Sequence, residues 1–195
     1  MSVIMGYKEK GKIYLAADNR VTNKKDSSYS DKFSKLIILN DRLAMVCSGS
    51  RLAQERFMNY IKDKNTNKWT IDDLEFNLNI LCCSLNILNN MDVNKEGAYF
   101  IFGGLNKNDK MVMMSASWNH QIYSGGSVEL VLYPPEDVDM QTCCNIFIPN
   151  LHEHFPAFMK KTIKEISEKS NMVSPSGDVW TYDFDTDISK LEHFD

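Results

Sequence analysis

The sequence predicts an α+β fold, a four-layer αββα sandwich in which two antiparallel sheets stack and each carries helices on its outer face. Two observations predict it. Strand-like runs come in blocks separated by pairs of helix-like segments, and the turns inside the blocks are short enough to join antiparallel neighbours. The apolar periodicity also changes sharply at Ser48-Gly49-Ser50, from continuous runs to a three- and four-residue step. At 195 residues the chain has room for one well-buried domain, 1–195, and little for a second.

The elements follow in order. Val3–Lys8 reads as a strand, Gly11 as a turn, and Lys12–Ala17 as a second strand ending in Asp18-Asn19-Arg20. Residues 21–34 are polar and read as an exposed loop or irregular strand. Lys35–Leu39 and Leu43–Cys47 flank Asn40-Asp41-Arg42, which is turn chemistry and predicts a hairpin. Ser50 is suited to cap a helix carrying Ala53, Phe57, Tyr60 and Ile61 on one face. Thr70 caps a second, with Asp72 and Asp73 in its first turn and a stripe of Leu74, Leu78, Leu81, Leu85 and Leu88 facing the core. Strands resume at Ala98–Phe102, Met111–Ser115 and Gln121–Tyr123, with turns expected at Gly103-Gly104 and at 106–109. Residues 137–170 are mostly helix-like, interrupted by Pro149 and by Pro156, which suits the start of a helix over Ala157–Ser170. Val179–Phe184 is the last strand expected.

Composition excludes several classes of function. The chain is 43% hydrophobic and 25% charged with a net charge of −4, an ordinary soluble balance that argues against a dedicated nucleic-acid surface. The local lysine groups (Lys8, Lys10, Lys12; Lys160, Lys161, Lys164) read as solvated faces. No apolar stretch approaches the roughly 20 residues of a membrane span, and the amino terminus lacks the pattern of a secretory signal. Cys47, Cys82, Cys83, Cys143 and Cys144 form an odd set without disulfide or zinc spacing, so they read as small core residues in a reducing cytoplasm. His152 and His154, two apart, point to different sides of a helix and make a poor metal pair, and no cofactor is expected.

The chemistry lies at the amino terminus. Ser2 follows Met1, and a small second residue favours removal of the initiator, leaving a serine with both a hydroxyl and a free α-amine. That pair is a nucleophile with its own base. An α-amine has an ordinary pKa of roughly 7.7–8, so near neutrality it can accept the hydroxyl proton.

Ser2-Val3-Ile4-Met5-Gly6, Leu15-Ala16-Ala17-Asp18-Asn19-Arg20-Val21-Thr22, Ser34-Lys35-Leu36 and Cys47-Ser48-Gly49-Ser50 occur in order. Together they resemble the front half of proteasome β-type subunits and of the bacterial ATP-dependent ring peptidase of the HslV type. Both are N-terminal nucleophile (Ntn) hydrolases. The resemblance is specific over residues 2–54, moderate through Ser124-Gly125-Gly126 and weak beyond. It implies that Ser2 is the nucleophile, that Lys35 lowers the pKa of the amine and polarises the hydroxyl, and that Asp18 holds that lysine charged and oriented. It further implies a backbone N–H of Gly49 in an oxyanion hole, where glycine lets substrate approach, and Ser124 in support of the terminal amine. Lys32 competes with Lys35 if the loop takes another register. Ser48-Gly49-Ser50 and Ser124-Gly125-Gly126 also read as an ordinary cap and turn.

Two departures stand out. The nucleophile is serine where the family has threonine, so the rotamer-fixing γ-methyl is missing. The family places an aspartate three residues before the Ser-Gly of its last loop, and counting back from Ser176-Gly177 gives Val173, with no obvious substitute. No long propeptide precedes Ser2, so its exposure depends on loss of Met1. The resemblance implies a peptidase subunit of a self-compartmentalised homo-oligomeric ring. Its substrate would be a peptide or unfolded protein, with an unfolding ATPase as a possible partner and no nucleic acid or membrane involved. The alternatives are a catalytically inactive structural subunit or scaffold on the same fold, and a small-molecule Ntn amidase.

Overall fold

Two five-stranded antiparallel sheets lie face to face in the computed structural model. It describes residues 2–22, 28–49, 51–87, 97–119, 122–151, 153–154 and 156–195, with the backbone alone at 52–53, 84–87, 118–119 and 122–125. Strands β1 (Ile4–Glu9) and β2 (Lys12–Asp18) form the first hairpin, and a short pair, β3 (Val21–Thr22) and β4 (Tyr29–Ser30), follows within the polar segment. Strands β5 (Leu36–Asn40) and β6 (Leu43–Gly49) form the second hairpin. Next come helices α1 (Arg51–Ile61) and α2 (Ile71–Ile87), then β7 (Ala98–Leu105), β8 (Met111–Asn119), β9 (Ile122–Ser127) and β10 (Leu130–Tyr133). Helices α3 (Met140–Asn150) and α4 (Ala157–Ser167) precede β11 (Gly177–Asp183) and β12 (Ile188–Phe194). The first sheet runs β10-β1-β2-β11-β12 and the second β5-β6-β7-β8-β9.

Strand side chains alternate between faces, and here both faces are covered. Ile4, Ile13, Leu15 and Ala17 of the first sheet meet Leu36, Ala44, Val46 and Ile101 of the second in the central core. Their neighbours Val3, Met5, Tyr14 and Ala16 point the other way, against Phe147, Phe158, Ile163 and Ile166 of α3 and α4. Met45, Cys47, Phe100 and Phe102 pack beneath Phe57, Leu74 and Leu78 of α1 and α2. Strands buried on both faces read as unbroken apolar runs, which is why Ile13-Tyr14-Leu15-Ala16-Ala17 shows no alternation.

The structure corrects several expectations. Gly103-Gly104 is not a turn but part of β7: a Cβ on Gly103 would lie 2.5 Å from Ile13 Cγ2, so glycine there lets the sheets close. Ser124-Gly125-Gly126 is likewise in a strand, β9, paired with Ser117-Ala116-Ser115 of β8. The strands expected at 98–102 and 111–115 run on to Leu105 and Asn119. Pro149 lies inside α3, one residue before its end, and the helix-like stretch breaks just beyond it, resuming as α4 after Pro156. Helix α4 stops at Ser167, short of Ser170. Thr70 precedes α2 as expected, but its N–H and hydroxyl both donate to Asp73, reversing the expected side-chain cap. Strands β10 and β12 were not expected: one is only four residues long, and the other is an edge strand whose exposed Ile188, Lys190, Leu191 and His193 give it a mixed pattern. Ser50, Leu88 and His152 lie outside the described residues. All five cysteines are free; Cys47, Cys82 and Cys143 are core residues, whereas Cys83 is exposed and Cys144 half-buried. Among the described residues, no helix is long and apolar enough to cross a membrane and no three metal-binding side chains cluster.

Candidate active site

Antiparallel pairing brings five strand ends to one corner. The start of β1 adjoins the end of β2, where Asp18 N–H donates to the Val3 carbonyl at 3.3 Å. The start of β5 adjoins the end of β6, where Cys47 N–H donates to the Lys35 carbonyl at 3.1 Å. The start of β11 pairs with the end of β2, with Gly177 opposite Asp18. Ser2, Asp18, Lys35 and Gly49 all lie at these ends.

Asp18 is the hub, and it is fully buried. One carboxylate oxygen accepts the Val3 N–H at 3.0 Å. The other accepts the Arg20 N–H at 2.8 Å, the Lys35 Nζ at 2.9 Å and the Ser174 N–H at 3.2 Å. Lys35 Nζ also donates to the Asp18 carbonyl at 2.8 Å, so a single residue supplies both acceptors of a buried ammonium. Burial pulls the Lys35 pKa below its usual value, and the adjacent Asp18 opposes that shift. Lys32, the competing lysine, is exposed and makes no such contact among the described residues.

Ser2 is 7% exposed and held from two sides. Its hydroxyl donates to the Arg20 carbonyl at 3.2 Å. Its N–H donates to Ser48 Oγ at 3.2 Å, and Ser48 Oγ donates back to the Ser2 carbonyl at 2.9 Å. Ser48 was not among the expected site residues; its place beside Gly49 at the end of a strand was the available signal. Gly49 has φ of +94°, and a Cβ there would lie 2.4 Å from the Gly97 carbonyl oxygen. Glycine is therefore required by the backbone itself, an additional reason to the substrate approach expected from sequence. Ser124 lies in β9 opposite Ser117, and its side chain is outside the described residues.

Two further groups were missed. Asp31 receives Arg20 Nε and Nη2 at 2.8 Å each, one on either oxygen. Ser174 anchors the loop before β11, its hydroxyl 2.8 Å from that of Ser176. Val173, three residues before Ser176, is fully buried in the apolar layer under α3 and α4, so no carboxylate approaches from that position. Cys47, near Lys35, is a buried thiol pushed up to about 12, which leaves it neutral.

The layer order and the cluster at the strand ends define the N-terminal nucleophile hydrolase class of fold. The match is confirmed at the level of family: the model for the family described as "Proteasome subunit" matches residues 2–128, well over half of the chain, which therefore belongs to the proteasome subunit family. No curated protein sequence matches the chain. Among solved structures, a mutant of Anbu from Hyphomicrobium sp. strain MC1 is similar, with a TM-score of 0.71 over 99% of this chain and 88% of that one. At 12% identity, that likeness speaks for the fold alone.

Proposed function

We propose that the chain is an N-terminal serine peptidase subunit that hydrolyses peptide bonds by acyl transfer. The observation that carries the reading is the shared Asp18 carboxylate. It binds the Lys35 ammonium on one oxygen and the Val3 N–H on the other, and it also holds the N–H of Arg20, whose carbonyl accepts the Ser2 hydroxyl. Once Met1 is removed, the α-amine takes the Ser2 proton as Oγ attacks the scissile carbonyl. The oxyanion forms against the Gly49 N–H, a type of contact worth about 2.7–4 kcal/mol. The C–N bond then breaks as the ammonium returns its proton to the departing amine, and water hydrolyses the Ser2 ester through the same base. The Lys35 ammonium, held by Asp18, disfavours protonation of the amine by charge repulsion. The substrate is a peptide or unfolded protein, the working form a cytoplasmic homo-oligomeric ring, and an unfolding ATPase its partner.

The buried Val173 favours a second reading, a structural subunit of the same ring with no turnover. One experiment separates the two: intact mass of the purified chain before and after a peptide epoxyketone, which needs a hydroxyl and a free α-amine on one residue to close its ring. Loss of Met1 with one stoichiometric adduct, absent in Ser2→Ala, is the expected result. A chain that retains Met1 and forms no adduct overturns the peptidase reading. A monomeric mass by size-exclusion chromatography, with amide turnover, would instead favour a small-molecule amidase.

A further inference from the structure

Arg20 touches the site with both of its backbone groups. Its N–H donates to Asp18 Oδ2 at 2.8 Å, and its carbonyl accepts the Ser2 hydroxyl at 3.2 Å. Its guanidinium leaves the site and forms a two-point fork with Asp31, Nε and Nη2 each 2.8 Å from a carboxylate oxygen. The third nitrogen, Nη1, donates to the Asn171 carbonyl at 3.2 Å, on the loop that delivers the Ser174 N–H to Asp18. The guanidinium carbon stacks 4.0 Å above the Tyr29 ring centroid. The backbone that orients Ser2 is thus tied through one side chain to the β4 end and to the loop before β11.

We infer that Asp31 is a positioning residue of this site: by locking the Arg20 guanidinium, its carboxylate fixes the Arg20 carbonyl on Ser2 Oγ and the Arg20 N–H on Asp18. This deepens the peptidase reading and rests on it. An exposed ion pair would contribute little. This one is bidentate, planar and stacked, with its side chains only 13% and 32% exposed, so the fork sets a geometry as well as a charge. The Arg20 guanidinium holds the Asp31 carboxyl below its ordinary range against the opposing effect of burial, and the Ser174 hydroxyl and the Lys35 ammonium add to the same pull. A second carboxylate at this corner, besides Asp18, comes from Asp31 directly after β4, whereas Val173 offers only an apolar side chain to the core.

The test compares wild type with Asp31→Asn by two readouts. One is the rate of epoxyketone adduct formation against reagent concentration; the other is amide hydrogen exchange over residues 17–20 and 171–176. The expected result is a maximal rate lower by roughly tenfold to a hundredfold, as for a misplaced reacting group. The half-saturating concentration stays within about threefold, part of the rate is recovered in Asp31→Glu, and exchange quickens in both segments while the core strands stay protected. Arg20→Lys, which keeps the charge but loses the fork, gives the same pattern if Asp31→Asn fails to fold. An Asp31→Asn rate within about twofold of wild type overturns the inference. Unchanged exchange in both segments overturns it as well, whether or not the wild type reacts. A wild-type chain that forms no adduct sinks the peptidase reading instead, so the two failures are distinguishable.

Discussion

Asp18→Asn is the most informative single change to the site. The carboxylate serves four donors with two oxygens, and it is fully buried with the Lys35 ammonium against it. Asparagine keeps one acceptor and turns two new N–H bonds toward groups that already donate. At least one backbone N–H is then left without an acceptor, at about 1–3 kcal/mol, and the buried Lys35 ammonium faces a neutral amide in place of a carboxylate. Breaking a buried pair by removing one partner costs about 3–5 kcal/mol. For a chain of this size that is a fall in Tm of roughly 6–20 °C. Lys35→Met costs less, because all three backbone donors keep their carboxylate. The pH dependence carries a sign. Burial already lowers the Lys35 pKa from its ordinary 10.5 and Asp18 opposes it, so losing Asp18 lowers it further. A folded lysine with a depressed pKa binds fewer protons than the unfolded one, so stability rises with pH between the depressed value and 10.5. The Asp18→Asn deficit should narrow as pH climbs from the variant's folded-state value to the higher one of the wild type, above which both gain alike. Thermal unfolding followed by tryptophan fluorescence reads it directly, since Trp180 is fully buried between the sheets. A Tm within about 2 °C of wild type, or a larger loss in Lys35→Met than in Asp18→Asn, would refute the assignment of Asp18 as the hub.

Two more outcomes follow from the geometry. Gly49→Ala forces a side chain into φ of +94° with its Cβ 2.4 Å from the Gly97 carbonyl, so it should lower stability by about 1–3 kcal/mol and abolish adduct formation; denaturant midpoints with intact mass check both. His193, held on Asp178 at 2.9 Å, has its pKa raised above 6.5 chiefly by that contact. Its contribution is therefore present in full below pH 6.5 and lost as pH rises through the folded-state value. His193→Gln should flatten this small term, under roughly 1 kcal/mol for so exposed a ring, in Tm measured from about pH 5.5 to pH 8.5.

The first two hairpins were legible in the sequence because each is a pair of apolar runs around a turn, Gly11 in one and Asn40-Asp41-Arg42 in the other. Helix α2 was legible from its leucine stripe and first-turn aspartates. Other features were hidden for definite reasons. Gly103 looks like a turn residue, but its purpose is the close approach of Ile13 from the opposing sheet, a contact between segments remote in sequence. Strand β12 is an edge strand exposed on both faces, with Ile188 and Lys190 on one and Leu191 and His193 on the other, so it shows no apolar alternation. In the candidate site, Asp18, Lys35 and Gly49 were visible through their order along the chain. Asp31 and Ser174 were not, because one lies in a polar stretch without periodicity and the other acts through its backbone N–H.

The order of the motifs is itself a consequence of the fold. A hairpin returns its second strand to where the first began, so Ser2 at the start of β1 and Asp18 at the end of β2 must be neighbours. The same holds for Lys35 before β5 and Gly49 at the end of β6. Stacking the two sheets with these ends on the same side closes the remaining gap, and Lys35 Nζ spans from one sheet to Asp18 on the other. Four sequence motifs thus reduce to two hairpins and one sheet contact. What hairpins cannot fix is the rotation of Ser2 about its own bonds, since serine lacks the γ-methyl that would limit it. In this chain that last degree of freedom rests on the Arg20 carbonyl, while Ser48 holds the Ser2 backbone, so the polar segment between the hairpins has a structural task at the site as well as a place on the surface.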